Sequence, residues 1–126
     1  MPEQEQGAIV VVDDDDSMRS AAQRVLDAAG FRAEAFASAE SLLESGAAHD
    51  AACIVLDIHL PGLSGFELCH ELARAGPAYP PVIFITGHDD PVARERAEAL
   101  GACAFLPKTF AGRTLVEAVA RAVGKA

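Results

Sequence analysis

Three short, uninterrupted apolar runs stand out along the chain and predict buried strands. The run at residues 8–12, AIVVV, is rich in β-branched residues and contains no polar side chain. Runs of similar character occupy residues 52–56 and 82–85, and Thr86 completes the strand predicted at 82–86. Such runs are typical of parallel strands that are buried on both faces. Weaker segments at residues 32–36 and 103–106 bring the number of predicted strands to five.

Between these runs, apolar residues recur at the spacing of an amphipathic helix. Those between residues 18 and 29 follow the i, i+3, i+4, i+7 rule. Ser17 and Ser38 are the predicted N-caps of the first two helices. Gly30 and Gly46 are their predicted C-terminal stops.

The remaining helices are predicted from their boundaries and their apolar stripes. The third helix ends before Gly76 and Pro77. The fourth begins with Asp90 as N-cap and Pro91 at the first helical position, and it ends at Gly101. The apolar stripe of the third helix contains Phe66, Cys69, Leu72 and Ala73. That of the fifth helix contains Leu115, Val116, Val119 and Val123.

Strands that alternate with helices indicate an α/β fold, in which a mostly parallel sheet is covered on both faces. Five such units predict a flavodoxin-like (βα)5 doubly wound sheet with the strand order 2-1-3-4-5. Ligands of such sheets bind beyond the carboxyl ends of the strands, here at the switch point between strands 1 and 3. The polar residues at the strand ends are Asp13 and Asp14 after strand 1, Asp57 after strand 3, Thr86 at the end of strand 4 and Lys108 after strand 5.

Length, charge and hydropathy narrow the class of protein. The length of 126 residues predicts a single domain, residues 1–126, with residues 1–7 as a flexible lead-in. The net charge of -9 predicts a surface that repels nucleic acid backbones, so direct nucleic acid binding is not expected. No apolar run approaches the roughly 18 residues of a membrane span, and the polar N-terminus does not resemble a secretory signal. These features predict a cytoplasmic protein without membrane contact.

The three cysteines, Cys53, Cys69 and Cys103, are odd in number and widely spaced, and each has apolar neighbours. This pattern predicts reduced, buried thiols rather than a disulfide framework or a zinc site.

The acidic residues at the strand ends suggest phosphoryl-transfer chemistry. Carboxylates of Asp13, Asp14 and Asp57 at one sheet edge would repel one another and raise each other's pKa unless a cation joined them. Mg²⁺ prefers oxygen ligands and fits such a site. Lys108 adds a positive charge, and Thr86 adds a hydroxyl donor, for the oxygens of a phosphoryl group. Asp57 would be the nucleophile and would form an acyl phosphate.

Four segments carry a resemblance to a known family. VVDDDDSMR, LDIHLPGLSGFEL, FITGH and GACAFLPK are similar, in order and spacing, to the marker segments of response-regulator receiver domains. The resemblance extends from Ile9 to Val123. FITGH also resembles the FixJ-type subgroup.

The resemblance implies a phosphoacceptor and a metal site. Asp57 would accept a phosphoryl group from a sensor histidine kinase or a phosphotransfer protein. Asp13 and Asp14 would be the acidic pair that binds Mg²⁺ together with Asp57, and the backbone carbonyl of His59 would be a further ligand. The protein would not be a turnover enzyme.

The resemblance also implies a switch. Thr86 matches the switch hydroxyl, Lys108 the phosphate-binding lysine and Phe105 the aromatic residue that changes rotamer. The altered surface would consist of helix 4, strand 5 and helix 5, and it would contact a downstream effector protein or output domain. This surface would also be the interface of a dimer.

One position departs from the family pattern. Receivers usually place a proline in a cis bond after the lysine, whereas Thr109 follows Lys108 here. A cis bond before a residue other than proline costs about 2.5 to 4 kcal/mol, so this bond is either trans or strained.

The acidic segment also resembles motifs with other roles. Asp15 and Asp16 fit a helix-capping role better than a metal site. Asp13-x-Asp15 resembles the nucleophile motif of haloacid-dehalogenase-type phosphatases, but the short connections leave little room for the cap insertion of those enzymes. A flavodoxin is disfavoured because four consecutive aspartates would repel a flavin phosphate.

Overall fold

A five-stranded parallel sheet forms the centre of the chain in the computed structural model, which describes residues 7–76, 79–87, 91–108 and 112–124. The strands are β1 (Ile9–Val12), β2 (Ala33–Phe36), β3 (Cys53–Asp57), β4 (Val82–Thr86) and β5 (Ala104–Pro107). They lie in the order β2-β1-β3-β4-β5, and every neighbouring pair is parallel. The predicted fold class and strand order are therefore confirmed.

Within these described ranges, five α-helices connect and flank the strands. They are α1 (Asp16–Ala28), α2 (Ala39–Ser45), α3 (Gly65–Ala75), α4 (Pro91–Ala99) and α5 (Gly112–Ala122). A short 3-10 helix at Ala47–Asp50 follows α2 and was not predicted. Within the described parts of the chain, none of the helices has both the length and the apolar character needed to cross a bilayer.

The two faces of the sheet carry different helices, because successive side chains of a strand point to opposite faces. Ile9 and Val11 of β1 lie on the face covered by α1 and α5. Val10 and Val12 lie on the face covered by α2, α3 and α4. Burial on both faces is the physical reason for the unbroken apolar runs.

The helix ends confirm some predicted caps and correct one. Asp15, not Ser17, is the N-cap of α1, because its carboxylate accepts hydrogen bonds from the backbone N–H groups of Ser17 (2.9 Å) and Met18 (3.2 Å). The helix begins earlier than predicted, so Ser17 lies inside it. Ser38 caps α2, and Gly46, with a φ of 74°, ends it, as predicted. The predicted cap Asp90 and stop Pro77 lie outside the described residues.

Two burial predictions were wrong in part. Cys53 and Cys69 are buried and free, as predicted, but Cys103 is exposed, because it precedes the edge strand β5 rather than lying within a covered strand. Ala73 is also exposed, and Leu68 takes its place on the buried face of α3.

Candidate functional site

Two neighbouring strands bring the predicted acidic residues together. Val12 of β1 is paired with Leu56 of β3, so the next residues along each strand, Asp13 and Asp57, lie side by side. Both are buried, whereas Asp14 is exposed. One carboxylate oxygen from each of the three residues lies within 4.8 Å of the others. The structure thus groups the three predicted carboxylates at the carboxyl end of the sheet.

Lys108 reaches into this group from the end of β5. Its Nζ lies 2.9 Å from Oδ2 of Asp57 and 3.1 Å from each carboxylate oxygen of Asp13. Its backbone N–H donates to the Thr86 carbonyl at 2.7 Å, which continues the β4–β5 ladder and aims the side chain at the site. Burial alone would lower the pKa of Lys108, but the hydrogen bonds and charges of Asp57 and Asp13 outweigh it and raise the pKa above its ordinary value.

Asp13 carries an unsatisfied buried oxygen. Its Oδ1 accepts from the backbone N–H of Asp15 at 2.9 Å and from Lys108. Among the described residues, its Oδ2 accepts no well-directed hydrogen bond, although Lys108 is near. Burial, with a further contribution from the Asp57 charge, raises the pKa of Asp13, and the contacts with Asp15 and Lys108 only partly oppose this. A buried acceptor of this kind is costly unless a ligand satisfies it.

The charges and donor atoms fit a hard divalent cation. Three carboxylates and one ammonium group leave an excess of two negative charges at the site. All the side-chain acceptors are oxygens, and the unsatisfied Oδ2 of Asp13 belongs to this group. Oxygen donors with this excess charge suit Mg²⁺ or Ca²⁺ rather than softer metals.

Backbone contacts hold Asp57 in place. The N–H of His59 donates to Oδ1 of Asp57 at 2.9 Å, and the N–H of Ile58 donates to the Ile85 carbonyl at 3.1 Å. Gly65 packs directly beneath, since a Cβ there would lie 2.6 Å from the Asp57 carbonyl oxygen. The metal-ligand role of the His59 carbonyl stays a prediction, since the hydrogen bond of its N–H leaves the carbonyl oxygen available.

Two further side chains support the site and were not predicted. Arg19 of α1 donates from Nη1 to the Asp13 carbonyl oxygen at 2.8 Å and also contacts the Asp16 carboxylate. Glu40 of α2 accepts from the Leu63 N–H at 2.9 Å, which ties the loop after β3 to α2 and lowers the pKa of Glu40. The i, i+3 spacing of Asp16 and Arg19 is a sequence signal for one of these contacts. The contact of Glu40 has no such signal, because its partner is 23 residues away.

Thr86 and Phe105 lie on the same face of neighbouring strands. Thr86 is buried at the end of β4 and pairs with Pro107, and Phe84 pairs with Phe105. Alternation along β4 puts Thr86 on the face of Phe84, and half-buried Phe105 packs against that same core. Thr86 and Phe105 are therefore diagonal neighbours, within reach of an aromatic side chain.

The peptide bond between Lys108 and Thr109 is the position that departs from the family pattern. Thr109 lies outside the described residues, so whether this bond is cis or trans stays a prediction.

Comparison with known proteins identifies the family. The model of the response regulator receiver domain matches residues 9–120, which is most of the chain. The chain belongs to the response-regulator receiver domain family. Receiver domains are signalling domains of two-component systems. The match gives no support to the haloacid-dehalogenase alternative.

Individual relatives agree with the family. The chain is 42% identical over 114 residues to nodulation protein W of Bradyrhizobium diazoefficiens, covering 90% of this chain and 50% of that protein. It is 38% identical over 115 residues to the transcriptional regulatory protein FixJ of Azorhizobium caulinodans, covering 91% of this chain and 54% of that protein. This receiver domain therefore spans about half the length of these curated relatives.

Solved structures share the fold. A response regulator receiver protein from Burkholderia phymatum superposes with a TM-score of 0.83 at 37% identity, covering 96% of this chain and 98% of that chain. The BeF3 activated DrrB receiver domain also superposes with a TM-score of 0.83, at 27% identity, covering 94% and 98% of the two chains.

Proposed function

We propose that Asp57 accepts a phosphoryl group from a sensor histidine kinase or a phosphotransfer protein. The observation that carries this proposal is the position of Asp57 at the end of β3, where its buried carboxylate contacts the Lys108 ammonium group, which also contacts the Asp13 carboxylate. A buried carboxylate that is fixed by His59 on one oxygen and by Lys108 on the other is held ready for attack.

The transfer exchanges one bond to phosphorus for another. A carboxylate oxygen of Asp57 attacks the phosphorus atom of a phosphohistidine, so a P–O bond forms while the P–N bond breaks. The imidazole nitrogen of the donor keeps the electron pair of the broken bond and takes up a proton. The product is an acyl phosphate on Asp57, and no oxidant or reductant is needed.

The residues of the site supply positioning and charge neutralisation, which dominate catalysis of phosphoryl transfer. Lys108, now on the Asp57 carboxylate, would pair with an oxygen of the incoming group. Mg²⁺ would be held by Asp13, Asp14, Asp57 and the His59 carbonyl, and when bound it neutralises charge on the phosphoryl oxygens. Arg19 and Glu40 would hold the two loops that carry these ligands.

The output would pass through Thr86 and Phe105. Phosphorylation would draw the Thr86 hydroxyl toward the phosphoryl group, and the Phe105 ring would turn into the space behind it. The changed surface would consist of α4, β5 and α5. It would bind a downstream effector or output domain, and it is the surface through which a dimer would form.

Intact-mass analysis tests the phosphoacceptor. The protein is incubated with Mg²⁺ and acetyl phosphate, a small phosphodonor. The wild type is expected to gain one phosphoryl group, Asp57→Asn none, and Asp27→Asn, an exposed carboxylate on α1, the same as the wild type. Equal labelling of the wild type and Asp57→Asn would show that the assignment is wrong.

Calorimetric titration with MgCl2 tests the metal site. Asp13→Asn keeps an acceptor for the Asp15 N–H but removes a charged ligand. We expect the affinity for Mg²⁺ to fall at least about tenfold, as is usual when a metal site is disrupted. Asp27→Asn again serves as the control. Unchanged affinity in Asp13→Asn would exclude Asp13 from the metal site.

A further inference from the structure

Helix α4 is attached to the sheet by few large apolar side chains. Within its described residues, the buried ones are Ala93 and Ala97, and Val92 is 74% exposed. Burial of an alanine methyl group contributes much less than burial of a leucine or valine side chain, because the stabilisation follows the apolar area removed from water. Contacts other than apolar burial must therefore help to hold α4 in place.

Two arginines of α4 supply such contacts on opposite sides of the helix. Cζ of Arg94 lies 4.7 Å from the ring centroid of Phe105 on β5, and Cζ of Arg96 lies 4.7 Å from the ring centroid of Phe66 on α3. Residues two positions apart on an α-helix point in nearly opposite directions. The helix is thus held between its two neighbours by a pair of guanidinium–aromatic contacts.

The two aromatic partners differ in their freedom to move. Phe66 is buried and packs against the Phe84 ring at 5.0 Å, inside the core. Phe105 is half-buried on the edge strand β5. A change of ring orientation is therefore less hindered for Phe105 than for Phe66.

We infer that Arg94 is a positioning residue that holds the Phe105 ring in its resting orientation and so opposes activation of the receiver. This inference rests on the proposed function of Asp57, Thr86 and Phe105. The orientation of the Phe105 ring described here is that of the protein without a phosphoryl group on Asp57. Both oxygens of the Asp57 carboxylate accept hydrogen bonds, one from His59 and one from Lys108.

The positions of Arg94 and Thr86 give the direction of the effect. Arg94 is exposed, so its guanidinium group covers the outer side of the ring, whereas Thr86 is buried on the inner side. Rotation of the ring toward Thr86 moves it away from Arg94 and breaks the contact. Loss of Arg94 therefore removes an interaction that is present only in the resting orientation, and the equilibrium shifts toward the active one.

Beryllofluoride, a stable mimic of the phosphoryl group, makes this shift measurable. Amide and Phe105 ring signals are followed by NMR while beryllofluoride is added at saturating Mg²⁺. Arg94→Gln is expected to lower the beryllofluoride concentration at the midpoint by roughly two- to fivefold, the range that corresponds to an exposed cation–π contact. Arg94→Lys is expected to restore part of the difference, since the lysine keeps the positive charge.

Arg96→Gln is the matched control. It removes the same charge and the same kind of contact from the same helix, but its partner is Phe66. We expect its midpoint to equal that of the wild type. The Arg94→Gln effect is further expected to disappear in a Phe105→Leu background, because the coupling requires the ring.

The outcomes separate this inference from the function on which it rests. If beryllofluoride leaves the wild-type spectrum unchanged, or shifts Asp57→Asn equally, the proposed function fails and the inference with it. If the wild type responds through Asp57 but Arg94→Gln has an unchanged midpoint, the role of Arg94 alone is wrong. Equal shifts in Arg94→Gln and Arg96→Gln, or an Arg94→Gln shift that survives Phe105→Leu, would also overturn it.

Discussion

Helices α5 and α4 flank the same sheet and differ in how they are attached. Helix α5 places Leu115 and Val119 in the core, each fully buried. Helix α4 places only alanines there, within its described residues, and uses Arg94 to contact a neighbouring element. The face with α1 and α5 is thus held by large apolar side chains, whereas α4 is held by small ones and by contacts at its surface.

The difference separates the parts of the molecule that must stay fixed from those that must move. The site needs Asp13 and Asp57 at constant positions, and the strands that carry them are buried on both faces. A switch needs an element with two accessible arrangements of similar free energy. An element that buries few apolar contacts opens at lower free energy than the core, and α4 has this property.

Thiol reactivity gives the largest expected contrast between the protected interior and the edge near α4. Burial raises the pKa values of Cys53 and Cys69 to about 12, whereas Cys103 at the start of β5 is exposed. At pH 8, a thiol with a pKa of about 12 has about a thousandfold less of the reactive thiolate form than a thiol with the ordinary pKa of 9.0. We expect iodoacetamide to label one thiol of the native protein, identified as Cys103 by peptide mapping. Rapid labelling of Cys53 would contradict the comparison.

The same two thiols give the stability a pH dependence. In the unfolded chain they ionise near 9.0, whereas in the folded protein they stay protonated up to about 12. The folded state therefore binds more protons in this window, and the free energy of unfolding must fall as the pH rises above 9.0. The loss is at most about 1.4 kcal/mol per pH unit for each thiol. Urea unfolding at several pH values measures it, and Cys53→Ala should reduce the slope.

Truncation of a buried α5 side chain should be the next largest effect. Leu115→Ala removes a fully buried side chain from the face of α1 and α5. We expect the free energy of unfolding to fall by about 2 to 5 kcal/mol, the usual range for leucine in a core. Urea unfolding followed by circular dichroism measures it. A loss below about 1 kcal/mol would mean that α5 is no more firmly attached than α4.

Hydrogen exchange compares the helices directly. Amides of α4 are expected to exchange at least about tenfold faster than those of α5, a difference of about 1.4 kcal/mol in opening free energy. The comparison uses amides in the central turns of both helices, away from the fraying ends. Equal protection of the two helices would remove the physical basis for treating α4 as the movable element.

Removal of the α4 arginines should have the smallest effect on stability. Arg94→Gln and Arg96→Gln are each expected to lower the free energy of unfolding by about 0.5 to 1 kcal/mol, because each removes one guanidinium–aromatic contact made by an exposed arginine. Urea unfolding of the two single variants and the double variant checks this. A loss from either single variant as large as that from Leu115→Ala would show that α4 depends on that arginine for its attachment.

Much of the fold was predictable because the decisive interactions are local or periodic. The run at residues 8–12 can be buried on both faces only in a covered sheet, and so it predicts β1 without knowledge of its neighbours. The carboxyl ends of parallel strands lie at one edge, so Asp13 and Asp57 had to be close once β1 and β3 were adjacent. Ser38 and Gly46 act within one turn of the backbone, so the local sequence is enough to predict both.

The wrong predictions concern the N-cap of a helix and the exposure of a side chain. Both depend on where an element begins or where it lies in the sheet. Ser17 and Asp15 are both good N-cap residues, and only the actual start of α1 decided in favour of Asp15. Cys103 has apolar neighbours in the sequence, yet it is exposed because β5 lies at the edge of the sheet. A pattern of residue types describes one segment at a time, whereas burial depends on what the rest of the chain places against it.

The sequence by itself was enough to predict the strand order, the acidic group at the sheet edge and the resemblance to the family, and all three predictions agree with the structure and the family match. The sequence also predicts Lys108 at this edge, but only the tertiary structure decided which side chains of distant elements are in direct contact. The ammonium group of Lys108 lies between Asp13 and Asp57, 95 residues away from the former, and Arg94 of α4 covers the ring of Phe105. Neither contact follows a helix or strand period, because each depends on how separate elements pack. Directional contacts between long side chains form only after the hydrophobic layers have fixed the positions of their backbones.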